Sequence, residues 1–193
     1  MTAVTRPPRP ARSTLSTAEA RRETVIASAI EVFGTSGYLG TPIAAVADHA
    51  KISSAYVFKL FPGKESLFVA ALDRCFDLIE EALEAGAAGA TEQTPDGILF
   101  AMGGAYAELI GDRSLLMLQV HAQSAVQVTD IREALRRGLA RVTRFAKSRS
   151  GADDEAVQRF IAFGQLCHLI VTTGIETDDS DWARILTAGI RHP

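Results

Sequence analysis

Few residues in this 193-residue chain have the type and spacing that chemistry requires, and they do not converge on a reaction centre. Cys75 and Cys167 stand far apart with no Cys-x-x-Cys spacing, which argues against a disulfide framework or a thiolate metal site and fits a reducing cytoplasm. His121 and His168 lack carboxylates at the spacing of a metal set or an acid–base pair. Adjacent Cys167 and His168 point about 100° apart if the segment is helical. No phosphate-binding glycine loop and no nucleophile elbow is present. The expectation is a protein with no catalytic residue, no metal and no cofactor. A redox sensor built on the two cysteines is the one chemical alternative, and isolated buried thiols are usually inert.

The elements that would position any site are helices. Hydrophobic residues make up 47% of the chain and charged ones 22%, a globular balance. Thirty-one alanines favour helix over strand, and no strand pattern or internal repeat competes. The most apolar run, 160–175, is too short to span a bilayer and contains Gln165 and His168. The first sixteen residues carry arginines but no apolar stretch, so they do not form a secretory signal, and a cytoplasmic protein is expected. Residues 1–15, with Arg6, Arg9, Arg12 and three prolines, read as a disordered basic leader. Ser16 and Glu19 have capping-box spacing, and Ile26, Ala29, Ile30 and Phe33 then recur at helical intervals up to Gly37, where a stop is expected. Thr41-Pro42 opens a second helix, Ser53 or Ser54 a third, and Lys64-Glu65 a long fourth running past Leu83 until Gly86 and Gly89 break it. Further helices are expected near 95–110, 113–128, 130–149, 154–173 and 180–191, with carboxylates at their starts and Gly111, Gly151 and Gly174 between them. Gly103-Gly104 predicts a kink in the fifth. The fold class is all-α, about nine helices, divided into a leader (1–15), an N-terminal domain (16–80) and a helical body (81–193).

Two short helices joined by a tight turn and braced by a third form a helix-turn-helix, here about 42–61. The stretch from Arg21 to Phe68 resembles the DNA-binding domain of TetR/AcrR-type repressors. The resemblance rests on Ile26-x-x-Ala29 with Phe33, Gly37-Tyr38, Thr41 with Ile43, Val46-Ala47, Ile52-Ser53, Phe61-Pro62 and Lys64-Glu65-x-Leu67. It implies that Thr41 caps the second helix and meets a phosphate through its hydroxyl or its amide, that Ser53, Ser54, Ala55, Tyr56 and Lys59 form the reading face, and that Lys64 neutralises a phosphate. Hydroxyls, a methyl and a lysine can serve base edges in the major groove. Three positions depart from the family pattern. Lys51 replaces the turn glycine, Phe58 a phosphate-contacting tyrosine and Leu60 a histidine. They keep open a module whose DNA binding is altered or lost.

Net charge divides in the same place. Residues 1–66 hold eight basic and five acidic side chains, whereas the remainder is acidic enough to bring the chain to −3. A basic reader on an acidic body suits a duplex DNA partner. The resemblance further implies a homodimer released from a palindromic operator by a small apolar or amphipathic effector. Met102, Tyr106, Met117, His121, Gln123, Phe163 and Cys167 mix soft apolar surface with polar handles, and are the candidate effector contacts. Phe160, Phe163, Ile170, Trp182, Ile185 and Gly189 are the candidate dimer interface. Nothing in the sequence points to a membrane.

Overall fold

A computed structural model describes residues 17–189; the expected basic leader, with Arg6, Arg9 and Arg12, lies outside the described residues, as do Ser16 and residues 190–193. Among the described residues there are nine α-helices, one 3-10 turn and no strand. They are α1 (Thr17–Gly40), α2 (Ile43–His49), α3 (Ser54–Leu60), α4 (Lys64–Ala88), α5 (Pro95–Ile110), α6 (Arg113–Ser124), α7 (Thr129–Ser150), α8 (Asp154–Thr173), the turn Ile175–Thr177, and α9 (Asp181–Thr187).

Caps fix most starts. Ser53 Oγ accepts the Tyr56 N–H, Thr94 that of Gly97, Asp112 that of Ser114 and Asp153 that of Ala156. Gly151 and Gly174 end α7 and α8 in left-handed conformations. Several expectations are corrected or refined. Thr41 does not cap α2, which starts one residue later from Pro42, and its hydroxyl makes no cap bond. Gly37, at φ 71 and ψ 175, is non-helical and interrupts α1 where the stop was expected, with one further short turn to Gly40. Gly86 lies inside α4, which runs on to Ala88 and stops at the second expected break, Gly89. Helix α5 continues through Gly103-Gly104 without a break, and α6 stops at Ser124, short of 128.

One apolar core runs from the N-terminal helices into the body. Phe33 of α1 and Phe68 of α4 meet edge to face at 4.9 Å, and Tyr38 packs on the other side of Phe68 at 5.3 Å. Helix α4 carries its buried stripe from Leu67 and Phe68 through Cys75 and Phe76 to Leu83, so a single helix serves both halves. Alongside it, α7 is aligned by ion pairs of Arg137 with Asp73 (3.5 Å), Arg141 with Asp77 (2.8 Å) and Arg149 with Glu84 (3.3 Å). The two helices cross so closely that buried Gly138 faces the ring of Phe76 with no space for a β-carbon. Helix α6 lies along α1, and a β-carbon at Gly34 would sit 2.7 Å from the Ser114 carbonyl oxygen.

Candidate nucleic-acid interface and internal cavity

Helices α2 and α3 bury Val46, Ala47 and Val57 and turn their remaining residues outward. The turn between them holds Lys51 at φ 54, the only non-glycine residue at positive φ among those described. It takes the conformation a glycine would take, so the motif's geometry is kept with a lysine in it. On α3 and its cap, Ser53, Ala55, Phe58 and Lys59 are exposed, while Ser54 and Tyr56 are half-buried. Arg21 of α1 lies over the Tyr56 ring at 5.8 Å, adding a cation to one edge of this face. At the start of α4, Lys64 Nζ sits 4.7 Å from the Tyr38 ring centre and 3.5 Å from the Leu39 carbonyl oxygen. The lysine is thus held between the end of α1 and the start of α4. Thr41 is 1% exposed and its hydroxyl has no hydrogen-bond partner, so of the hydroxyl and amide expected at a phosphate the hydroxyl is enclosed.

The body contains a cavity of about 260 Å³ between α4, α5, α7 and α8. Phe76, Ile79, Leu99, Val142 and Phe160 form much of its apolar wall. Of the sequence-predicted contacts, Tyr106, Phe163 and Cys167 line it. The other four do not. Met102, 0% exposed, is core; Met117 is half-buried against that core. His121 faces Gly37 on α1, and Gln123 donates to Gln165 Oε1 at 2.7 Å on the surface. Gly103 and Gly104 do make room, by lacking side chains and not by kinking. Gln119, unremarked in the sequence, lines the cavity; the available signal was a lone amide within the apolar run Leu115, Leu116, Leu118, Ala122. The Tyr106 hydroxyl lies 2.6 Å from His168 Nε2 and 3.4 Å from Gln119 Oε1. Burial pushes the His168 pKa down to about 4, and raises those of the Tyr106 phenol and the Cys167 thiol. These groups are therefore neutral at physiological pH, and Cys167 is a poor thiolate source.

Residues 25–71 match the family model described as bacterial regulatory proteins, tetR family. Over those residues, about a quarter of the chain, it carries a TetR-type N-terminal domain. No curated protein matches the chain by sequence. Among solved structures, a TetR-family regulator from Agrobacterium tumefaciens is similar at a TM-score of 0.69, with 14% identity over 89% of this chain and 95% of that one. FadR from Bacillus subtilis, solved with stearoyl-CoA, has a TM-score of 0.66 and 16% identity over 88% and 99%. The multidrug binding protein EbrR, solved with imidazole, has 0.63 and 20% over 90% and 92%. The described chain thus has the TetR-family transcriptional-regulator fold along its length.

On this TetR fold the residues expected at a dimer interface separate. Phe163, Trp182 and Ile185 are 48%, 52% and 74% exposed, and Gly189 is exposed as well. Ile170 is corrected: it is fully buried in a small core with Ile175 and Ala183, and its neighbour Leu169 faces outward instead. Phe160 is half-buried and belongs to the cavity wall. No described helix is long and apolar enough to cross a membrane.

Proposed function

We propose that this protein is a cytoplasmic DNA-binding transcriptional repressor that grips a palindromic operator as a homodimer and is released by a small effector. The observation that carries this reading is the packing of α6. It supplies Gln119 to the cavity and lies against α1, which braces the helix-turn-helix, so one rigid element touches both effector space and DNA reader. An effector that binds better when α6 and α1 are displaced shifts the population away from the DNA-competent form. Ser53, Ala55, Tyr56 and Lys59 read base edges; Lys64, with the Thr41 backbone amide, positions the domain on phosphates. The outward residues Phe163, Leu169, Trp182 and Ile185 of α8 and α9 pair with their counterparts, which sets two reading helices roughly 34–36 Å apart on one face of the duplex.

The relatives bracket the effector. FadR was solved with an acyl-CoA and EbrR with imidazole. A cavity of about 260 Å³ suits an apolar or amphipathic molecule nearer the smaller end.

The test is fluorescence anisotropy on the DNA upstream of the protein's own gene, across a salt series. Binding is expected to fall linearly on a log–log plot, Lys64→Ala to reduce that slope by about one unit, and Tyr56→Ala to change sequence preference. No binding at low salt would overturn the repressor reading. It would favour the alternative raised by Lys51, Phe58 and Leu60, a helical sensor without DNA.

A further inference from the structure

The polar residues on the cavity wall sort by depth, and the sorting constrains what can bind. Asp96 and Arg159 are exposed and sit at the rim, where Arg159 pairs with Glu155 at 2.7 Å. Tyr106 and Gln119 are 9% and 5% exposed and lie inside. Among the described residues, no charged side chain lines the buried part. Immediately behind Tyr106, His168 is buried and kept neutral by desolvation, and its Nδ1 has no partner. A carboxylate or ammonium brought to Tyr106 would lose its water and meet no counter-charge, a large penalty for any ligand. A neutral head meets the opposite situation. The 2.6 Å contact with His168 engages the Tyr106 hydroxyl, and the 3.4 Å separation from Gln119 Oε1 leaves that buried acceptor poorly served. Gln119 Nε2 gives one proton to the Leu115 carbonyl at 3.2 Å and retains a second. The wall thus offers one acceptor and one donor side by side: Gln119 Oε1 is free when Tyr106 donates to His168 Nε2, and keeps its second lone pair when the tyrosine proton goes to Gln119 instead.

Size narrows the class further. At about 30 Å³ per water-sized group, 260 Å³ holds on the order of nine non-hydrogen atoms. That is half an eighteen-carbon acyl chain. We infer that the cavity takes an uncharged molecule of about nine to ten non-hydrogen atoms, apolar except for one hydroxyl- or amide-like group that both donates to and accepts from Gln119 beside Tyr106. This assignment rests on the cavity being the effector site, and it specifies the chemistry of that site.

A ladder of probes with one tail and different heads tests it: 1-octanol, octanamide, octanoate and octylammonium, titrated by calorimetry into the full chain at pH 7.5. The alcohol and the amide should bind at least tenfold more tightly than either ion. Gln119→Leu should weaken the alcohol at least fivefold, the equivalent of one neutral hydrogen bond, and leave the ions unchanged. Gly164→Leu, whose new side chain would be directed against the Tyr106 ring, should abolish binding of the neutral probes. Wild-type titrations alone carry the central comparison if either variant fails to fold. An ion that binds as tightly as the alcohol, with Gly164→Leu still blocking it, overturns the head-group assignment and leaves the effector-site reading standing. Failure of all four probes, or neutral binding that Gly164→Leu does not touch, overturns both.

Discussion

Replacing Gly138 by alanine sets two effects of opposite sign against each other at one atom. Alanine in a helix interior is favoured over glycine by about 1 kcal/mol, so propensity alone predicts stabilisation. The added methyl, however, would be built into the Cγ, Cδ2 and Cε2 edge of the Phe76 ring, far inside the ~3.5 Å at which carbons touch. Phe76 is 2% exposed and has little room to turn aside. The Arg137–Asp73 and Arg141–Asp77 pairs flank the contact and hold α7 to α4 on either side. Overpacking of this kind costs about 1–3 kcal/mol, and the short contact places it at the upper end. The net loss is then on the order of 1–2 kcal/mol, which lowers the melting temperature by roughly 2–8 °C in a chain of this size. Gly103→Ala is the matched control. It lies inside α5 with its new methyl an ordinary 3.9 Å from Phe160, and should raise the midpoint by a few degrees. Differential scanning calorimetry on both variants decides. The double variant Gly138→Ala/Phe76→Leu should recover part of the loss, because the ring is the obstruction. If Gly138→Ala melts at or above wild type while Gly103→Ala behaves as stated, the close crossing of α4 and α7 is wrong.

Three other outcomes follow from features of the fold. Lys51 holds φ 54, so Lys51→Gly should melt at or above wild type in urea, and Lys51→Val, which resists that conformation more, should lose about 1–2 kcal/mol. Thr41→Val removes a buried hydroxyl that has no partner; stability should be unchanged or rise by up to ~1 kcal/mol, and a loss larger than that would mean the hydroxyl is bonded. His168 keeps its proton off down to about pH 4, whereas the unfolded chain takes one up near 6.5. The unfolded state therefore binds more protons between those values, and stability should fall as pH drops through that window, by up to about 3 kcal/mol for this group. His168→Phe should flatten this part of the stability–pH curve, and an unchanged slope would refute the assignment.

Helix starts were legible in the sequence because their signals are local. Thr94, Asp112, Asp153 and Ser53 each bond an amide within three residues, and Lys51 announces its strain simply by standing where a turn needs positive φ. The same locality misled at Thr41 and Gly86, where tertiary packing decided: the threonine is enclosed, and α4 carries straight through its glycine against α5. The cavity was only partly legible. Met102 and Tyr106 are four residues apart on one face of α5, yet one is core and the other wall, because the flanking glycines empty the space beside the tyrosine. Ile170 and Leu169 are adjacent and equally apolar, and only the position of α9 and the turn before it buries the first and exposes the second. A period shows that a face is apolar; it does not say whether another helix, empty space or a second molecule covers it.

The close approach of Gly34 to Ser114 has a mechanical meaning. Where two helices meet through long side chains, a rotamer change can absorb a shift of about an ångström before the backbones feel it. Here a glycine α-carbon rests against the neighbouring main chain, and no torsion stands between them. The joint has almost no compliance in compression. A push on α6 from the cavity side reaches α1 nearly undiminished, one turn before the kink at Gly37 from which the chain enters the helix-turn-helix.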